Sequence, residues 1–200
     1  DAVAARRLLS GRQVVHGIHT LIHALDLWSP GPAPGPLSID CSFAHPVNVG
    51  DAVEFARVDE DEGRTRLTAT VAGLVCTEVV VQPAAGADTG RRPVVTPDTK
   101  RTPRVIGDLA VPLDEAPESQ AGCLFEQAGR PDRLSDRFPQ AAALLGPDGL
   151  SAVAGLSFFV GMVCPGLHSV FSSVRFTTGP SNGRGLRFDV RRFDPRFRLF

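Results

Sequence analysis

The polar and apolar positions divide this 200-residue chain into two similar passages, separated by a stretch with no sustained period. In the first passage Ile18, Leu21, Ile22 and Leu25 recur at the spacing of one helix face, which predicts a helix over Gly17 to Trp28. Ser29 to Pro36 is dense in proline and glycine and must end it. Leu37, Ile39, Cys41 and Phe43 then alternate with Ser38, Asp40 and Ser42, the period of a half-buried strand. Further strands are expected over Ala52 to Val58 and Thr65 to Ala72, joined by a polar turn at Asp59 to Gly63. The β-branched run Leu74 to Gln82 suits a central strand. Ala2 to Ser10 reads as a short helical lead-in.

From Pro83 to Gln120 the chain is rich in Pro, Gly, Ala and charge, and residues 86–120 read as a linker. The first pattern then returns in weaker form over residues 121–200. Gly149-Leu150 opens an apolar helix, Ser151 to Val163, and Cys164-Pro165-Gly166 stops it. Ser169 to Thr178 follows as a strand carrying Phe171, Val174 and Phe176, and Leu186 to Phe193 as another. Gly179 to Gly185 has no lysine and reads as a hairpin turn, not a phosphate loop. Short helix, long helix, Pro/Gly stop and strands recur in the same order, which argues for two like units in tandem.

Val14-Val15-His16-Gly17 at the head of the first long helix, and His45-Pro46-Val47-Asn48-Val49-Gly50-Asp51 after the first strand, resemble the core of a MaoC-like (R)-specific enoyl-thioester hydratase/dehydratase. In that family a hydrophobic-His-Gly opens the central helix of a hotdog fold, and a Pro-x-x-x-Gly-Asp turn joins two strands of the wrapping sheet. The family's acid/base loop, Asp-x-Asn-Pro-x-His, is often followed by x-Asp and then by a stretch to His-Gly like the one that here separates Asp1 from His16. The resemblance implies an α+β double hotdog: a first unit at residues 1–85, and a second, degenerate unit at 121–200 that pairs with it as a second subunit would. It also implies that the Asp/His dyad lies just upstream of Asp1. The corresponding place in the second unit, Glu126 to Pro131, contains no Asn-Pro-x-His.

The implied chemistry is syn addition or loss of water on a 2-enoyl or 3-hydroxyacyl thioester of CoA or an acyl carrier protein, with no cofactor and no metal. The Gly17 N–H would donate to the thioester oxygen at the positive end of the helix. His16 would stand at the pocket mouth, and Ile18, Leu21 and Ile22 would line the acyl tunnel. Gly17 also has a plainer reading, as a residue that merely loosens the helix start.

Other residues invite other chemistry. His16, His19 and His23 fall near one helix face, but no acidic or cysteine partner is spaced to complete a zinc site, and packing is the expected role. Cys164 and His168 suggest a thiolate pair, and Glu126 a substitute acid; in both places a structural role is favoured. Asp51 is read as a turn residue rather than a catalytic carboxylate. Two alternatives to the hydratase stay open. One is a non-catalytic acyl-binding or scaffolding module. The other is a thioesterase, which would need a carboxylate near the thioester, where only the distant Asp26 is available on the helix.

The formal charge of −1 gives no electrostatic footprint for nucleic acid or an anionic membrane. Lys100 is the only lysine, and the arginines are scattered. The four cysteines form no Cys-x-x-Cys; Cys41 and Cys76 sit in apolar runs as small buried hydrophobes, which suits the cytoplasm. The longest apolar run, Leu150 to Leu167, is broken by Ser, Gly and Pro and falls short of the ~20 residues of a membrane span. A homodimer or flanking domains are the expected further partners.

Overall fold

The computed structural model describes residues 12–28, 35–84, 133–160 and 171–178, with backbone alone at 124–125, 131–132 and 186–187. The expected lead-in helix at Ala2 to Ser10, the linker, Glu126, Cys164, His168 and the turn Gly179 to Gly185 lie outside the described residues.

The first passage folds in the order its pattern predicts. Helix α1 (Gly17–Leu27) is followed by β1 (Leu37–Phe43), β2 (Val53–Asp59), a single 3₁₀ turn (Asp61–Gly63), β3 (Thr65–Val71) and β4 (Leu74–Pro83). After the linker come β5 (Leu124–Phe125), α2 (Pro131–Arg137), α3 (Pro139–Phe158), β6 (Ser173–Thr177) and β7 (Leu186–Arg187). The molecule is α+β. One antiparallel five-stranded sheet, in the order β2-β3-β4-β1-β6, carries α1 on one face, and β5 pairs separately with β7.

Alternation decides which face of each strand meets the helix. Leu37, Ile39 and Cys41 of β1, Leu67 of β3, and Val79 and Val81 of β4 point inward, where they meet Ile18, Leu21, Ile22 and Leu25 of α1. On the outer face the intervening positions are polar apart from Val80. Arg66 joins Glu60 and Glu78 at 2.7 and 2.6 Å, and Arg175 of β6 pairs with Asp40 of β1.

The second passage departs from expectation in the start and course of its long helix. Its long helix begins earlier than Ser151, at Pro139, and is bent at Gly146, whose φ of 72° and ψ of 158° lie outside the helical region. Pro147 starts the segment beyond the bend, where its missing N–H costs little. Furthermore, Phe138, Ala141, Leu150 and Val153 enter the same core as α1 and β1. By length and composition α3 could cross a membrane, yet its face at Ala141, Leu150 and Val153 is buried inside the protein. Likewise β6 belongs to the main sheet: it pairs with β1 from Ser38↔Thr177 to Ser42↔Ser173.

Candidate functional site

The His-Gly and Gly-Asp motifs, which lie far apart in sequence, meet in space. The chain entering α1 runs antiparallel to the turn after β1: the Val15 N–H donates to the Val47 carbonyl, and the Val49 N–H to the Gln13 carbonyl, both at 2.8 Å. Asp51 closes that turn. One of its oxygens accepts from the Asn48 backbone N–H at 2.8 Å and from Asn48 Nδ2 at 3.0 Å, and the other takes Arg12 at 2.8 Å. These donors, the Asn48 backbone first, hold the carboxyl below the usual range. Asp51 is thus a structural carboxylate, as its sequence context predicts.

Helix α1 therefore starts from a braced segment. His16 is its N-cap residue; the side chain is exposed and caps nothing, while its carbonyl accepts from the N–H groups of His19 (2.8 Å) and Thr20 (3.4 Å). The N–H groups of Gly17 and Ile18 find no partner among the described residues. They are the orphan donors of a helix start, at the positive end of its dipole, and an oxygen carrying developing negative charge suits them.

Gly17 has a further reason to be glycine. A Cβ there would stand 2.7 and 2.8 Å from Cδ1 and Cε1 of Phe43. Phe43 is pinned in turn: its N–H donates to the Ser172 carbonyl at 2.9 Å, and its ring lies 6.1 Å from that of Phe171. The absent side chain serves close packing between the helix start and the sheet, which neither sequence reading of Gly17 anticipated.

Of the other predicted site residues, Ile18, Leu21 and Ile22 are 2% exposed or less and packed into the core. Cys41 and Cys76 are buried free thiols, and burial pushes that of Cys41 far above its ordinary range, so it is inert as a nucleophile. His19 and His23 pack against neighbouring rings, and His23 reaches Phe55 of the strand β2. They stack edge-on with each other and with Phe138 just before α3, and no metal-binding group forms among the described residues.

Sequence reading missed the work of Asp26. Its carboxylate accepts from the N–H groups of Gln140 (2.9 Å) and Ala141 (3.0 Å), so it caps α3 from the neighbouring helix. Phe138, the N-cap residue of α3, makes no side-chain cap of its own. Pro139 at the first turn was a legible helix-start signal, but a cap supplied across the fold leaves no mark in linear spacing. We expect Asp26→Ala to cost about 0.5–2 kcal/mol in chemical denaturation, and Asp26→Asn less, because it keeps an acceptor.

Two clefts among the described residues lie elsewhere. One, at the far end of α1, is bounded by Trp28, Leu37 and Val81; the other, on the outer sheet face, by Asp40, Arg64 and Glu78. Neither includes Gly17. No family model matches the chain, and no curated protein matches it.

Proposed function

We propose that this chain is the scaffold and thioester-holding part of a hydratase/dehydratase acting on 2-enoyl or 3-hydroxyacyl thioesters of CoA or an acyl carrier protein. The observation that carries the reading is the start of α1, where the N–H of Gly17, without a partner among the described residues, is braced by the segment that the Gly-Asp turn holds. A donor fixed before reaction suits an enolate-like oxygen, because no reorganisation is needed as charge develops.

Among the described residues no Asp–His pair stands beside Gly17. His16 is exposed, and Asp51 is committed to Asn48 and Arg12. The reading accordingly needs a dyad from elsewhere in the native protein, as the resemblance expects. The same observation favours the second reading, a non-catalytic acyl-binding or scaffolding module. A thioesterase is disfavoured: Asp26 lies about 14 Å along the helix from Gly17 and is engaged in capping.

The double hotdog forms part of this proposal. With Gly149 set against Gly17, Leu150 falls on Ile18 and Val153 on Leu21, and all four are buried. The strand that follows each helix, β1 or β6, lies antiparallel beside the other, and α1 packs on α3. A local two-fold axis through the β1–β6 seam would produce that arrangement. A cytoplasmic setting would suit the free buried thiols.

Hydration of crotonyl-CoA, followed by loss of enone absorbance, tests the function in the 200-residue chain and in the longest native form containing it. Activity is expected only in the longer form. There, Gly17→Pro in a Phe43→Ala background should lower kcat about 10²–10³-fold relative to Phe43→Ala alone, because proline fits the first helical position but removes the donor. Thioester binding without turnover in both forms would favour the binding module.

A further inference from the structure

The proposed thioester site makes no use of the cluster that fixes the start of α3 to α1. Three rings meet there edge to face. The centroids of His19 and His23 are 4.7 Å apart, and that of Phe138 lies 4.9 Å from His23 and 5.7 Å from His19. Phe138 is 3% exposed, so its ring is committed to this corner. One helical turn beyond His23, Asp26 holds the first N–H groups of α3. From the sheet, Phe55 of β2 approaches His23 at 6.5 Å.

We propose that His19, His23 and Phe138 form an acid-released latch between α1 and the arm made of α2 and α3. The charges around the corner are unequal. Arg137, the last residue of α2, opposes a proton on either imidazole, and His16 adds to this at His19. The positive end of the α3 dipole points the same way. Asp26 favours a proton on His23, but its carboxylate is already shared with two N–H groups. Arg57 of β2 is paired with Asp59 at 2.9 Å, and Arg133 and Asp136 of α2 are exposed.

At neutral pH both imidazoles are uncharged and the three rings pack. Asp26 can carry one imidazolium, that of His23. Two imidazolium rings 4.7 Å apart, beside Arg137, repel each other, and solvent at the exposed His19 offsets this only in part. Burial, the neighbouring imidazole and Arg137 hold His19 below its ordinary value of 6.5; burial and Arg137 do the same for His23. An open arrangement with ordinary proton affinity thus binds more protons than the latched one. The latch is at full strength above about pH 6.5 and weakens as pH falls below it, until the latched imidazoles titrate as well.

Hydrogen exchange of the 200-residue chain at about pH 7.5 and about pH 5, corrected for the intrinsic effect of pH on exchange, tests the latch. Amides of residues 139–158 should lose protection severalfold at the lower pH, while β3 and β4 keep theirs. The His19→Gln/His23→Gln double variant should remove that loss. Arg137→Gln, which leaves the three rings in place, should make it smaller. Unchanged protection over 139–158, loss shared equally with the sheet, or the same acid loss in the double variant would each overturn the proposal. The outcome does not depend on whether the chain binds thioesters.

Discussion

Gly17→Ala is expected to destabilise the protein by about 1–3 kcal/mol, although alanine is the better helix former. The propensity gain is at most ~1 kcal/mol and smaller in a first turn. Against it stands a methyl group placed 2.7 Å from the Phe43 ring. That ring has little room to swing aside, because its backbone is bonded to Ser172 and the tilted Phe171 ring lies beside it. Chemical denaturation of Gly17→Ala, Phe43→Ala and the double variant closes a cycle that isolates the clash. In the Phe43→Ala background the Gly17 substitution should become neutral or favourable. If Gly17→Ala is already neutral in the wild-type background, close packing is not why glycine stands there, and close approach of a bound oxygen or a loosened helix start are the accounts that remain.

Leu150→Ala should cost more, about 2–5 kcal/mol, and lower Tm by roughly 5–15 °C. Leu150 is fully buried and lies in the second passage, yet it belongs to the core that α1 and β1 share. The cost arises from lost apolar contact together with a cavity that rigid neighbours only partly fill. The size of the effect matters less than its form. A common core predicts one cooperative transition that moves as a whole, as it should also for Leu21→Ala in the first passage. Two transitions, only one of them shifted by Leu150→Ala, would mean that the passages are stabilised separately.

The elements of the first passage were legible because each carries a strong local period. The i, i+3, i+4 spacing of Ile18, Leu21 and Ile22 gives α1, and the strict alternation from Leu37 to Phe43 gives β1 with its inner face correctly assigned. The second passage was harder to read. Gly146 and Pro147 look like an end to any helix, yet here they only bend one, and so the start of α3 at Pro139 was passed over. The placement of β6 beside β1 was not a local property at all. Five residues of modest hydrophobicity do not say which edge they will join; that depends on β1 offering unpaired N–H and C=O groups. The candidate site divides in the same way. Motif spacing located Gly17 and Asp51. The neighbours that give them their character, Phe43 for the one and Arg12 and Asn48 for the other, are set by the fold.

The seat of β6 also sets an order of assembly. The strand pairs β2–β3 and β3–β4 are contiguous hairpins, and β1 closes on β4 across a moderate loop. The β1–β6 pairing must instead close a loop of more than a hundred residues, the entropic cost of which is met only after both partners exist. During synthesis, β1 is therefore exposed as an open edge from the time β4 docks until residues 173–177 leave the ribosome. Throughout that interval another nascent copy can occupy the same edge. Asp40, midway along β1 and facing outward, is the one charge on that strand able to discourage such pairing before Arg175 arrives to neutralise it.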